Sequence, residues 1–281
     1  MLNEHSVRQR IRQALEEDIR DGDVTTLAII PAGQQSTALI KAKSDGVLCG
    51  TQVADWVLQE CGSETGFTWN FKEGDRLVTG QIAGTYKGPT RVLLMAERTL
   101  LNFIQRMSGI ATQTRRFTDL VSHTSCKILD TRKTVPGLRD LDKYSVKTGG
   151  GTNHRIGLYD MVLIKDNHIA AAGSVTEAIK RVHAWQKQTG RFPDIEVEVK
   201  NRRELAEVLA LGGVQRILLD NMTLAQLAEC VKETAGRIPL EASGNVNLET
   251  VAGIAGTGVD FVSVGSLTHS VTAMDLSLLI D

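Results

Sequence analysis

The pattern of apolar and polar positions changes along the chain near residue 112. Before that point it predicts a helix over about Val7–Ile19, a second helix after Thr51 and a long helix after Pro89, a residue favoured at the first helical position. Between the helices it predicts strands over Thr37–Lys43, Phe67–Phe71 and, as a pair, within residues 75–86. This mixture of elements predicts an N-terminal α/β sandwich.

Beyond residue 112, short apolar strands alternate with amphipathic helices. The six predicted strands are Lys127–Leu129, Met161–Ile164, Ile195–Val199, Arg216–Leu219, Ile238–Glu241 and Val259–Val264. Such alternation indicates βαβ units and a parallel sheet. No GxGxxG follows the first of these strands and the sequence has no P-loop, which disfavours a nucleotide-binding doubly wound sheet.

We therefore predict an α/β fold class with two domains. An N-terminal α/β sandwich domain would cover residues 1–112, and a catalytic domain, an open (incomplete) α/β barrel, would cover residues 113–281. The last residues of the chain could return to pack on the N-terminal domain.

Composition limits the classes of partner. The 281 residues are 42% hydrophobic with a formal net charge of -1, which allows a packed core and gives no general attraction to nucleic acid or anionic membranes. No apolar run is long enough for a membrane span, and the charged first residues lack the apolar core of a signal peptide. Four scattered cysteines without CxxC spacing are typical of reduced thiols. We expect a cytoplasmic protein.

Polar residues follow every predicted strand of the second half. Catalytic residues of parallel barrels gather at the carboxyl ends of the strands, although solvent exposure alone also accounts for polar residues there. The sign of the charge changes in order along the strands: the first two ends are basic, the next two acidic, and the last two carry small residues. This order predicts three chemically distinct subsites.

The basic subsite follows the first two strands and includes the segment after the triple glycine 149–151. Its members are Arg132, Lys133, His154, Arg155 and Lys165. A single member could be an ordinary surface charge. Five on neighbouring loops repel one another and lose solvation, so they predict a bound anion, for which arginine offers planar paired donors.

The other two subsites are acidic and small. Glu198 and Asp220 end consecutive strands, where paired carboxylates can hold Mg²⁺ or ribose hydroxyls or act as general acid and base. Glu196 points the same way as Glu198. We prefer Glu198 as the site residue because it lies nearer the strand's carboxyl end. The small set is Ser243, Gly244, Asn245, Gly265 and Ser266. Exposed backbone N–H groups there would suit a phosphate, or these residues form ordinary turns and helix caps.

These residues also carry a family resemblance. The stretch Asp130–Ile169 contains TRKT, GGGTNHR and IKDNH in order, and AERT, EVEV, LLDN, EASG and VGSLT occur at colinear positions elsewhere. The chain resembles the nicotinate-nucleotide pyrophosphorylase (carboxylating), or quinolinate phosphoribosyltransferase, family along nearly its whole length. The resemblance implies conversion of quinolinate and phosphoribosyl pyrophosphate to nicotinate mononucleotide, CO₂ and pyrophosphate with Mg²⁺, in NAD biosynthesis. It also implies the sandwich and open barrel, and a homodimer that shares its site between subunits.

The resemblance further implies roles for individual residues. Those expected to bind quinolinate are Arg132, Lys133, His154, Arg155, Lys165 and, from the other subunit, Arg98. Those expected to serve the ribose hydroxyls and the metal are Glu198 and Asp220, which with Lys133 and Lys165 form the expected catalytic set. Those expected to hold the 5-phosphate are Ser243, Gly244, Asn245, Gly265 and Ser266, although many relatives have glycine where this chain has Asn245.

Two other functions agree with parts of the pattern. A related phosphoribosyltransferase, including the molybdenum-operon type, would use another base, and a base with one carboxylate would need fewer cations. A non-catalytic phosphate-binding barrel would lack either the basic set or the acidic pair, and this chain has both.

Overall fold

The structure is a computed structural model and describes residues 2–280. The chain forms two compact units, each built from separated segments. The first comprises the chain up to Arg115, Thr134–Gly150 and the residues from Leu267 onward; the second comprises Arg116–Lys133 and Gly151–Ser266. The division after residue 112 into consecutive domains stays a prediction.

Helices and strands are numbered from the amino terminus. The elements of the first half are α1 Glu4–Asp18, α2 Val24–Ile29, β1 Gln35–Ala42, β2 Gly46–Val47, α3 Thr51–Glu60, β3 Thr68–Trp69, β4 Arg76–Leu77, β5 Ile82–Pro89 and α4 Thr90–Val121. Those of the second half are β6 Lys127–Leu129, α5 Arg139–Thr148, β7 Val162–Ile164, α6 Asp166–Ala172, α7 Val175–Thr189, β8 Ile195–Val199, α8 Arg202–Leu211, β9 Arg216–Asp220, α9 Leu224–Thr234, β10 Leu240–Ser243, α10 Val251–Gly256, β11 Phe261–Ser263, α11 Ser266–His269 and β12 Leu276–Ile280.

The first unit is organised around an antiparallel sheet in the order β12-β1-β5-β3. Helix α1 begins where the side chain of Asn3 accepts a hydrogen bond from the Ser6 N–H. Its buried residues Val7, Ile11 and Leu15 are spaced four apart, so they form one apolar stripe in the same core cluster as β1 and β12. The end of the chain thus completes this sheet as its edge strand.

The second unit contains a six-stranded parallel sheet in the order β6-β11-β10-β9-β8-β7. Strands β6 and β7 are consecutive in this sheet along the chain but form its two opposite edges, and the described residues show no pairing between them. The strand ring is therefore open on one side, which confirms the predicted open α/β barrel. All six carboxyl ends meet at one rim, which we call the barrel mouth.

Some local predictions were wrong. Strands β4 and β5, expected as a pair, instead join different neighbours: β4 pairs with β2, and β5 with β1 and β3. Strand β10 begins two residues later than expected because Pro239 cannot donate to a sheet ladder. Helix α6 was not anticipated, since none of its residues is buried and it has no apolar stripe. Among the described residues, no helix is both long and apolar enough to cross a membrane.

Candidate active site

The predicted basic residues of the second unit lie around the barrel mouth, directly after β6, directly after β7 and in the segment that leads into β7. Thr152 pairs with Leu129 of β6 through an isolated parallel bridge, which brings the following residues beside that strand. Burial and the charge of Arg132 both lower the pKa of Arg155. The positive charge of Arg132 thus acts on the Arg155 guanidinium, and an anion bound beside them would relieve the repulsion.

Buried Asp130 fixes the start of this segment. Its carboxylate accepts the His154 N–H at 2.8 Å and the Asn153 amide at 2.6 Å. The sequence predicted Asp130 only as a strand end, without a role. A carboxylate that accepts backbone N–H groups holds a loop in one conformation, so Asp130 positions the residues that follow it.

The segment after Arg155 is fixed in a similar way. Asp160 accepts the N–H groups of Ile156 and Gly157 at 2.7 and 2.9 Å, while the Arg155 guanidinium donates to the Met161 carbonyl at 3.1 Å. Arg155 thus has an ordered backbone on both sides, and one of its nitrogens is anchored. These contacts limit the orientations open to the Arg155 side chain.

The acidic pair lies on β8 and β9, opposite Lys165. The Lys165 ammonium is 3.9 Å from a carboxylate oxygen of half-buried Glu198. Burial raises the pKa of Glu198; Lys165 opposes this effect, and the negative charge of Asp220 adds to it. Two mutually repelling, partly exposed carboxylates at a rim offer the oxygen ligands that Mg²⁺ prefers, so this donor set fits that ion.

The small residues form a tight turn at the ends of β9 and β10. Ser243 pairs with Asp220 in the parallel register, and Gly244 follows it with φ of 107°. A Cβ on Gly244 would stand 2.1 Å from the Asn221 amide oxygen, so only glycine fits. Asn245 has φ of 52°, a left-handed conformation that asparagine tolerates and glycine adopts freely.

The remaining phosphate candidates follow the neighbouring strand. Gly265 and Ser266 come after β11, which pairs with β10, so they border the Ser243–Asn245 turn at the barrel mouth. The neighbouring helices offer little to a phosphate. Helix α11 starts at Ser266 but has only four residues, and α10 begins only at Val251. Any phosphate there would be held by backbone N–H groups and hydroxyls of the turns.

A further cluster lies deeper in the barrel than the acidic pair. His154 Nε2 is 2.9 Å from Glu196 and 3.4 Å from Glu241, and Arg216 is 3.2 Å from Glu241. Burial raises the pKa of Glu196 to about 7. Sequence reasoning singled out neither Glu241 nor Arg216, although a carboxylate two residues before the end of an apolar strand was the available signal.

Arg98 lies in the other compact unit. It is exposed on α4 and lines a cavity of about 290 Å³ together with Glu17 and Asp18 of α1. The structure therefore places it on a different unit from the other predicted site residues. Nothing in the strand-end pattern could have indicated it.

Family models cover most of the chain. The model of the quinolinate phosphoribosyl transferase C-terminal domain matches residues 110–279, and that of the N-terminal domain matches residues 23–108. Together they cover residues 23–279 except for residue 109.

Individual relatives match nearly the whole of this chain. The chain is 46% identical to nicotinate-nucleotide pyrophosphorylase [carboxylating] of Mycobacterium leprae, covering 97% of this chain and 96% of that protein. It is 45% identical to the chloroplastic enzyme of that name from Arabidopsis thaliana, covering 96% of this chain and 82% of the relative. The crystal structure of NadC from Streptococcus pyogenes superposes with a TM-score of 0.95 at 38% identity, covering 100% and 98% of the two chains. This chain belongs to the quinolinate phosphoribosyltransferase family.

Proposed function

We propose that the protein transfers a phosphoribosyl group from phosphoribosyl pyrophosphate to quinolinate and decarboxylates the product, giving nicotinate mononucleotide, CO₂ and pyrophosphate for NAD biosynthesis. Family membership supports this reaction. The single structural observation that carries it is the 3.9 Å approach of Lys165 to Glu198, because it brings a cationic pocket and a carboxylate pair to one barrel mouth.

The cationic pocket suits a ligand with two carboxylates. Arg132 and Arg155 lie close enough for the charge of one to lower the pKa of the other, and Lys165 and exposed Lys133 border the same rim. Arginine can take each carboxylate in a planar, paired geometry. A pyridine with a single carboxylate would leave part of this positive charge uncompensated, so quinolinate fits better than nicotinate.

The acidic pair suits the transfer step. The pyridine nitrogen displaces pyrophosphate from the anomeric carbon, where positive charge develops as the C–O bond breaks. Glu198 and Asp220 would accept hydrogen bonds from the ribose hydroxyls and stabilise that positive charge. They would also hold Mg²⁺, which when bound supplies neutralisation of the pyrophosphate leaving group.

The chain's part in decarboxylation is orientation. After transfer, the ring nitrogen carries a positive charge, so the electron pair left when the adjacent C–CO₂ bond breaks is stabilised there, and a proton then takes the place of CO₂. Arg155, anchored to the Met161 carbonyl, and Lys165 would fix the ring in place while this happens.

The proposal includes an assembly and a compartment. We place the 5-phosphate on the turns at Ser243–Asn245 and Gly265–Ser266, and Arg98 of one subunit in the site of the other within a homodimer. Exposure of Arg98 on a unit other than that of the barrel mouth supports a role across subunits. Four free cysteines agree with a reducing, cytoplasmic location.

A substrate comparison tests the function. Purified protein is supplied with phosphoribosyl pyrophosphate, Mg²⁺ and either quinolinate or nicotinate, and pyrophosphate release is followed. We expect release with quinolinate and little or none with nicotinate. Equal release with both bases, or release only with nicotinate, would reject the assignment of substrate.

A further inference from the structure

Four side chains inside the barrel form a network, of which only His154 was expected to have a role in substrate binding. We call His154, Glu196, Arg216 and Glu241 the buried network. Glu196 pairs with Arg216 in the register of β8 and β9, and Glu241 lies on the next strand, β10. Glu196 and Glu241 are 0% and 1% exposed, so their placement in the barrel needs compensation by hydrogen bonds and opposite charge.

Glu241 is the anchored member of this network. Its Oε2 accepts a hydrogen bond from Arg216 Nη1 at 3.2 Å. Arg216 is in turn stacked on the Phe261 ring at 4.3 Å, which leaves its guanidinium little freedom. The position of the Glu241 carboxylate is therefore set by β9 and β11 on either side of it.

Both ring nitrogens of His154 are engaged by this surrounding protein. Nδ1 accepts the N–H of Arg155 at 2.7 Å, and Nε2 faces the carboxylates of Glu196 and Glu241. A carboxylate accepts and an N–H donates, so the hydrogen belongs on Nε2 and the lone pair on Nδ1. Burial lowers the pKa of the ring, whereas the facing Glu196 and Glu241 carboxylates raise it. A second proton, on Nδ1, would however clash with the hydrogen of the Arg155 N–H. We therefore assign the neutral ring.

We propose that Glu241, held by Arg216, and Glu196 are positioning residues that fix His154 as the neutral Nε2–H tautomer, and that His154 in turn fixes the backbone of Arg155 for the substrate carboxylate. His154 then acts from behind Arg155 and is not itself a cation on the dicarboxylate. The identity of the substrate rests on the proposed function; the arrangement of the network does not.

A metal ion is the competing occupant of this network. The ligand-type atoms of His154, Glu196 and Glu241 lie within 4.8 Å of one another. A metal would need the Nε2 lone pair, where the donated hydrogen lies, and it would have to approach Arg216, 3.2 Å from the Glu241 carboxylate. The repulsion of that fixed charge favours positioning over metal binding.

Nitrogen NMR of the wild-type protein labelled with ¹⁵N-histidine tests the tautomer without any assay of activity. The His154 signals are those missing from a His154→Gln sample. We expect, at pH 7.5, an Nδ1 shift typical of an unprotonated ring nitrogen and an Nε2 shift typical of a protonated one. Two protonated nitrogens, or protonation at Nδ1 alone, would overturn the proposal.

Kinetics of Glu241→Gln and Arg216→Gln test the positioning role. We expect the KM for quinolinate to rise roughly tenfold in both, the KM for phosphoribosyl pyrophosphate to stay within about twofold, and Arg216→Lys to recover part of the loss. Glu229→Gln, which removes an exposed carboxylate paired with Arg202, is the matched control.

An unchanged KM for quinolinate in folded variants, or an equal rise in both KM values, would overturn the proposal. Arg216→Gln and Arg216→Lys decide the question if Glu241→Gln does not fold. The wild-type protein is assayed in the same series. Lack of quinolinate turnover by wild type would count against the proposed function. The NMR result tests the tautomer independently of that outcome.

Discussion

The ammonium group of Lys165, directly after β7, lies 3.9 Å from the carboxylate of Glu198 on the neighbouring strand β8. This distance joins the cationic and acidic halves of the mouth. Lys165 also weakens the rise that burial imposes on the pKa of Glu198. We therefore expect a change at Lys165 to affect both the proposed quinolinate binding and the charge state of the neighbouring carboxylate.

Lys165→Ala is expected to lower kcat/KM for quinolinate by about a hundredfold, because it removes a charged partner that no neighbour can replace. Arg155→Ala should have a comparable effect. Lys180→Ala on the exposed side of α7 serves as the control, with activity expected near that of wild type. Steady-state assays decide the point, and near wild-type turnover in both site variants would contradict the account.

If Glu198 and Asp220 hold Mg²⁺ as proposed, turnover should depend on this ion. Chelation should abolish turnover and added Mg²⁺ should restore it. Glu198→Gln should raise the Mg²⁺ concentration for half-maximal rate by roughly tenfold, since the amide removes one negative charge from the ligand set. Titration of Mg²⁺ against initial rate measures this, with Glu233→Gln on α9 as the control. An identical Mg²⁺ requirement in Glu198→Gln and wild type would argue against metal binding by Glu198.

Mixing experiments test the role of Arg98 across subunits. Arg98→Ala and Lys165→Ala should each be nearly inactive. After unfolding and refolding together, random pairing in a two-fold dimer leaves about a quarter of the sites with both residues intact, so activity should return to about that level. Absence of any recovery would show that Arg98 and Lys165 must come from the same chain.

The turn at Gly244 gives a prediction about stability and phosphate binding. Gly244→Ala combines a left-handed φ with a Cβ contact of 2.1 Å to Asn221, so it should destabilise the protein by about 1–3 kcal/mol and raise the KM for phosphoribosyl pyrophosphate. Gly256→Ala, in a helix with open space around it, should be neutral or slightly stabilising. Denaturant unfolding and steady-state kinetics compare the two. Equal stability of both variants would contradict the steric argument.

The general architecture follows from periodicity, whereas the buried network does not. Alternating strands and helices predict the open barrel because each parallel strand needs a crossover helix. Strand ends then indicate Arg132, Lys165, Glu198 and Asp220. Residues inside strands carry no comparable signal: Glu196 and Glu198 share a face, and only the structure separates the buried one beside His154 from the half-buried one beside Lys165.

Two other features depend on distant parts of the chain. β12 completes the first sheet by pairing with β1, a contact between residues more than two hundred positions apart that no local pattern specifies. Arg98 resembles any exposed helical arginine, and the family resemblance is what indicates it. Local sequence predicts secondary-structure elements and the residues at strand ends. It does not predict pairing between distant strands or contacts between subunits.

The thiols offer a simple check on burial. Burial raises the pKa of Cys61 to about 11 and that of Cys126 to about 12, and Cys49 and Cys230 are buried as well. A thiol with a pKa near 11 is only about one-thousandth ionised at pH 8, so all four should react slowly with Ellman's reagent until the protein is unfolded. Rapid labelling of the folded protein would contradict these environments.

The proposed reaction joins transfer of the phosphoribosyl group to loss of a carboxyl group from the pyridine ring. Quinolinate labelled with ¹³C in the carboxyl group next to the ring nitrogen allows labelled CO₂ and pyrophosphate to be counted in the same reaction. The account predicts one labelled CO₂ for each pyrophosphate, with nicotinate mononucleotide as the nucleotide product. Pyrophosphate release without labelled CO₂, or no release of either with quinolinate, would contradict it.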